Sequence, residues 1–289
     1  MKNKNLMALI AATTITTTAS AGFFLTGDYE GTISDGNPGA ATYAQDLDIT
    51  MVGTNDAGTS VTAKFENLTG GSTVTANQVY IESAIEGISF KGGNYKGQNG
   101  AGLMQATSAV TNQMEVAFDA AGIAGVTVGQ ASGDGNATVD ASLTVAGVAL
   151  NVQNVSNSNR YVSASATVGG LEVNAERQVT TTGTNTAGSV GATIGGMNAT
   201  VVMVDVNDTA GITQDDGILG DITNAVNGKD VTGVVVSTAT TVGLVTGKYI
   251  DKNDATTLVG ELTRGVWTLG HSKTENVDGV TTAKINVTF

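Results

Sequence analysis

From Gly22 to Phe289 the chain alternates apolar and polar residues at period two, and it rarely changes to helical spacing. In "FFLTGDYEGTI", Phe23, Leu25, Gly27, Tyr29, Gly31 and Ile33 fall on one side, and Thr26, Asp28, Glu30 and Thr32 on the other. The pattern recurs in "AQDLDITMVG" and "VTAKFEN", which flank a turn at Asn55 to Gly58. Short turns follow at Glu86–Gly87, Ala120 to Gly125, Val145 to Gly147, Gly169–Gly170, Gly195–Gly196, Ala239 to Thr241 and Arg264–Gly265. Between them lie longer polar connections near Ser34 to Thr42, Asn67 to Thr75, Gly92 to Thr111, Ser132 to Asn136, Ser156 to Asn159, Thr180 to Thr186, Asn207 to Asp230, Asp251 to Asp254 and Thr274 to Gly279. Eight short and nine long connections predict 18 strands, with 16 close behind. Short turns alternating with long loops describe an up-and-down antiparallel meander. Closing it places both ends on the short-turn side and pairs the first strand with the last.

The apolar side of these strands has to be covered by something. A soluble sheet would need a second layer, yet the sequence provides no helices, and only 4% of its residues are aromatic. A closed barrel of this size keeps a wet interior and turns its apolar face outward to lipid. Hydrocarbon enforces closure, because an unpaired backbone group there costs several kcal/mol. The fold expected is an all-β, transmembrane, up-and-down antiparallel barrel of 16 to 18 strands over residues 22–289. No apolar run reaches the ~20 residues of a membrane-spanning helix.

Residues 1–21 read as a secretory signal peptide: Lys2 and Lys4, then "LMALIAA", then "ASA" before the first strand. Export plus a barrel points to a Gram-negative outer membrane. The chain has no cysteine and a formal charge of −13, so a disulfide framework is excluded and nucleic acid is not an expected partner.

Four stretches resemble the general porins of Gram-negative bacteria, most closely the α-proteobacterial type. "LTGDYEGTI" (Leu25 to Ile33) looks like that family's opening strand, and "VYIESAIEGISFKGGNYKG" (Val79 to Gly97) is similar to the hairpin ahead of its inward-folded third loop. "NQMEVAFDAAGIAGVTVGQAS" (Asn112 to Ser132) resembles the hairpin after that loop, and Phe289 matches the terminal aromatic read by the outer-membrane assembly machinery. The resemblance implies a water-filled channel for passive diffusion of ions and small hydrophilic solutes. It implies a homotrimer in outer-membrane lipid, with the lumen narrowed by the loop after the fifth strand. The sequence departs from the family in two ways. Tyr161 is the only aromatic residue between Asp119 and Lys248, and the segment Gly92 to Thr111 holds Lys96 but no Asp or Glu.

By parity, the inward-facing charges are Asp28, Glu30, Asp46, Asp48, Lys64, Glu66, Glu82, Lys91, Glu115, Glu172, Glu176, Glu261 and Lys284. Lys96 is placed in the third loop. Acids outnumber lysines on this wall, which predicts a weak cation preference. Asp215, Asp216 and Asp221 in "QDDGILGD" are weak Ca²⁺ candidates that lack a full calcium-loop spacing. His271 is the only histidine, so neither a metal centre nor a cofactor is expected, and an enzyme is a remote reading. The competing reading is a structural or adhesive β-rich fibre without channel activity, although a solenoid should repeat at a fixed short period.

Overall fold

The computed structural model describes residues 22–36, 41–68, 75–99, 103–104, 106–131, 137–155, 160–208, 218–219, 225 and 227–289. The signal peptide expected at 1–21 and the Ca²⁺ candidates Asp215, Asp216 and Asp221 lie outside them.

The chain forms 18 strands. The first nine are β1 (Phe23–Gly36), β2 (Thr42–Thr54), β3 (Ser60–Phe65), β4 (Gln78–Ile85), β5 (Ile88–Asn99), β6 (Ala106–Ala120), β7 (Ala124–Ala131), β8 (Thr138–Val145) and β9 (Val148–Gln153). The rest are β10 (Arg160–Val168), β11 (Leu171–Val179), β12 (Gly183–Ile194), β13 (Met197–Asp208), β14 (Val231–Thr240), β15 (Gly243–Lys252), β16 (Ala255–Arg264), β17 (Trp267–Thr274) and β18 (Val280–Thr288). Each strand pairs antiparallel with its sequence neighbours, and β18 pairs with β1, which closes the sheet into a ring. A fibre grows from a free strand edge, and this ring has none.

Most predicted turns lie where expected, while those at Ala239 to Thr241 and Arg264–Gly265 shift to Thr241–Val242 and Gly265–Val266. Glu86–Gly87, Ala146–Gly147, Gly169–Gly170 and Gly195–Gly196 hold both residues at positive φ, the geometry whose twist matches two-residue hairpins. On the opposite side, several connections are shorter than the sequence suggests. β15 runs through Lys252, leaving only Asn253 and Asp254 between it and β16, and β12 begins at Gly183 instead of after Thr186. The expected third loop contracts most, because β5 extends through Lys96 to Asn99 and β6 starts at Ala106. Lys96 is therefore a strand residue facing Val110, next to a register shift between Lys96 and Gln98.

Register carries one face unbroken around the ring. Asp28 opposes Asp48, Thr50 opposes Lys64, Glu82 opposes Lys91, and Lys91 opposes Glu115. The same face runs through Glu176 opposite Ser163 and reaches Lys284 opposite Thr32. It is the inner face, because Leu103 and Met104, which lie between β5 and β6, meet Glu176 on the distant strand β11. A one-residue slip anywhere would turn a whole strand inside out. The outer face carries the exposed large apolar side chains, among them Val61, Ile81, Met114, Val173, Val201, Leu258, Leu269 and Phe289.

At the seam, the Gly27 N–H donates to the Phe289 carbonyl at 2.8 Å, and the Phe289 N–H donates to the Gly27 carbonyl at 2.9 Å. The Phe289 ring lies over the Cα of Gly27, in the space that a β-carbon there would occupy. Gly27→Leu should therefore weaken closure by about 1–3 kcal/mol, as overpacking does. Combined with Phe289→Ala it should cost less than the two single changes added together. The thermal midpoint of the folded band in detergent checks this.

Candidate functional site

The inner wall is divided into a charged part and an occluded part. On β1 and β2 four carboxylates stand on adjacent strands, Asp28 opposite Asp48 and Glu30 opposite Asp46, an arrangement whose mutual repulsion favours a nearby cation. Lys284 reaches Glu30 at 2.8 Å. The Asp48 carboxylate accepts the Asn67 N–H at 3.0 Å. Lys64 stands on β3 beside Gln78 of β4.

Glu66 lies just beyond β3, toward the side with the longer connections. Its carboxylate takes Lys96 Nζ at 2.7 Å and the Gln78 side-chain amide at 2.8 Å. Burial disfavours its charged form. The hydrogen bonds from Lys96 and Gln78, with the charges of Lys96 and Lys64, outweigh that and hold its pKa below the usual glutamate value. Lys96 is thus tied to the wall.

Lys91 is more firmly held. Its ammonium is 3.2 Å from the Glu82 carboxylate, and it lies 4.3 Å from the ring centre of Tyr80 and 4.5 Å from that of Tyr95. The two rings meet edge to face at 5.6 Å, and Glu115 stands across from Lys91 on β6. Gly93 makes this packing possible. Its φ is 134°, and a β-carbon there would collide with the Val79 carbonyl and the Tyr80 backbone. An ammonium with a carboxylate and two rings around it is a weaker magnet for anions than a free lysine.

Glu176 has a role that parity did not show. It is buried, 4% exposed, and its carboxylate accepts the backbone N–H groups of Leu103 at 3.0 Å and Met104 at 2.9 Å. A segment between β5 and β6 is thereby held across the interior against β11. Leu103 and Met104 pack with Leu219, Ala225 and Val231 onto Val202, Val204 and Val206, an apolar cluster on the inner face of β13. The expectation of an all-polar inner wall fails here for a physical reason: these valines are covered by other parts of the chain and never meet water. Next to them a hydrogen-bonded row runs along the wall. Asn185 donates to Gln178 at 3.0 Å, and Gln178 donates to the Tyr161 hydroxyl at 2.8 Å. Asp208, 1% exposed, accepts the hydroxyls of Thr180 and Thr182. Tyr161, the lone aromatic of the central sequence, therefore points inward.

Glu172, two residues past the Gly169–Gly170 turn, stands at the short-turn mouth, and Glu261 sits mid-strand opposite Gly270. The same inner face also carries Asp119, Asp140, Lys248 and Lys252. The parity that found the other residues would have found Asp140 in "TVDASLTV". On β15 the period-two signal is weaker, because its inner face mixes Lys248 and Lys252 with Ile250. Near the short-turn mouth a cavity of about 570 Å³ is lined by Asp119, Ser142, Asn151, Ser163 and Ser165 among others, a polar and largely uncharged vestibule. Among the described residues no group of three or more His, Cys, Asp or Glu side chains is placed to hold a metal ion.

This closed 18-stranded barrel has counterparts among solved structures. OpdL of Pseudomonas aeruginosa superposes with a TM-score of 0.64 at 8% identity, over 93% of this chain and 98% of that one. OccK2 (OpdF) of the same organism, solved in complex with glucuronate, gives 0.61 at 10% identity, covering 93% and 96%. A triple mutant of Rhodopseudomonas blastica porin gives 0.55 at 10% identity, covering 93% and all of that chain. The fold is the closed barrel of these porins. At these identities the likeness establishes the fold, and no family model and no curated protein matches the sequence.

Within this barrel, the depressed pKa of Glu66 fixes the sign of one pH effect. The stabilisation from the Glu66–Lys96 pair is complete above the unfolded glutamate value of ~4.3 and disappears as pH falls through the lower folded value. Glu66→Gln should lower the thermal midpoint at pH 7 and become indistinguishable from the unmodified protein well below pH ~4.

Proposed function

We propose that the protein is a passive channel of the outer membrane that admits ions and small hydrophilic solutes with a weak preference for cations. The supporting observation is the closed ring of 18 strands whose inner face carries Asp28, Glu30, Asp46 and Asp48 with, among the described residues, only Lys284 in an ion pair with the group. Conduction needs no nucleophile and no metal; it needs an aqueous path and fixed charge that enriches one ion sign. The three other lysines toward that side, Lys64, Lys91 and Lys96, soften the acidic field, and two of them are spent in ion pairs with Glu82 and Glu66.

The segment at Leu103 and Met104, held by Glu176, narrows the path from the β11–β13 side. Solutes pass along the opposite, charged wall. In this reading Glu82, Glu115 and Glu261 add to the field, and Glu172 acts at the short-turn entrance. Residues 1–21 direct export, and Phe289 presents the closing strand to the assembly machinery. The barrels assemble as homotrimers in the outer-membrane lipid.

Planar-bilayer recording tests the proposal. Purified protein should give discrete conductance steps, and in a KCl gradient the reversal potential should shift toward that of K⁺. Glu176→Ala, which releases the inner segment, should give larger steps. Absence of steps would remove the channel, and a reversal toward Cl⁻ would remove the cation preference.

A further inference from the structure

The barrel's outer surface is uneven. Outward-facing aromatic rings stand on β1 (Phe23, Tyr29), β2 (Tyr43), β3 (Phe65), β5 (Phe90), β6 (Phe118), β15 (Tyr249) and β17 (Trp267), with Phe289 at the seam. Eight consecutive strands, β7 to β14, have none, because their single aromatic, Tyr161, is turned inward to Gln178. Lipid-facing barrel wall is ordinarily bordered by aromatic girdles at both interfaces. The middle of this bare sector is also built from small side chains, among them Ala164, Ala175, Gly188, Ala192 and Ala199, which let another backbone approach closely.

The same sector carries a charge on its outer face, two residues from the end of β11. Arg177 is exposed on the outer face of β11, at the level of Val162 on β10 and Val152 on β9. Among the described residues its guanidinium makes no hydrogen bond and no ion pair. On its other side it opposes Thr186 of β12, and Thr186 opposes Asp205 of β13. Asp205 is half-buried and, among the described residues, its carboxylate is bonded only by the Asn207 amide at 2.6 Å. One positive and one negative side chain thus flank β12 at a common height, one strand to each side.

We infer that copies of this chain associate through the outer face centred on β12, with Arg177 of one copy against Asp205 of the next. A rotation axis along the membrane normal near β12 brings these two residues together around the whole assembly, because opposite charges stand on opposite flanks of the axis. Eight strands ~4.8 Å apart and ~25 Å tall offer roughly 900 Å² per copy, against the ~800 Å² that a standard stable interface buries. An arginine paired in this way gains the partner it lacks within its own chain, and a face turned to protein needs no aromatic girdle. The inference rests on the oligomeric reading above and names the surface that makes the oligomer.

The test uses the full-length protein extracted in mild detergent, its mass read by light scattering after gel filtration. The unmodified protein should be oligomeric. Arg177→Glu or Asp205→Arg should each lower the oligomer fraction at least tenfold, and the double swap should restore it; Lys273→Glu, on the outer face of β17, should leave it unchanged. Heat-modifiable gel mobility checks that each variant is folded. For a variant that fails to fold, single cysteines decide instead, since the chain has none of its own. Gly188→Cys should cross-link to itself with a short bis-maleimide in intact membranes, and Ala283→Cys should not. An oligomer that survives both single reversals, or cross-linking at Ala283 in place of Gly188, overturns this surface while leaving the oligomer standing. An unmodified protein that is monomeric at every concentration overturns both.

Discussion

Every backbone amide and carbonyl on a wall that faces hydrocarbon must find its partner within the protein, and the structure follows from that requirement. An open meander of these strands would leave β1 and β18 with unpaired edges. Closure pairs Asp28 through Gly36 with Thr288 back to Val280. The last step of that ladder depends on a contact between side chain and backbone: the Phe289 ring fits where Gly27 has no β-carbon. Once the ring is closed, period-two alternation decides the rest, since each residue faces either the lipid or the interior.

The interior does not use its two halves alike. Around β1 to β6 and β15 to β18 it displays ionised groups, several locked by Lys284, Lys91 and Lys96 into pairs with Glu30, Glu82 and Glu66. Around β11 to β14 it is filled by chain from the connections. There Glu176 spends its charge on the amides of Leu103 and Met104, and Val202, Val204 and Val206 give the inserted residues a dry surface. A carboxylate bonded to two N–H groups and sealed beneath apolar side chains fixes a position; it does not attract ions. The acidic character of the lumen is therefore carried by fewer residues than the count of inward acids suggests.

Most of the fold was legible because its signals are local. Turn residues such as Glu86–Gly87 and Gly195–Gly196 mark hairpins within a few positions, and parity along "GVTTAKINVTF" assigns Lys284 inward and Ile285 outward. The site was less legible because its partners come from far away. Nothing near Glu176 in the sequence announces a bond to residues some seventy positions earlier. "TVVMVDV" reads as a strand apolar on both faces, but what covers Val204 on the inside lies between other strands. Lys96 falls within the polar connection expected at Gly92 to Thr111, whereas Gly93 keeps β5 running beside Tyr80.

The central claim is that one face of this wall meets water and the other meets lipid, in strict alternation around a closed ring. Single cysteines placed in turn from Thr282 to Val287, in a chain with none of its own, measure it directly with a charged, membrane-impermeant thiol reagent on intact outer membranes. The account predicts labelling at positions 282, 284 and 286 and protection at 283, 285 and 287. Labelling without a two-residue period, or protection of all six positions, would contradict it.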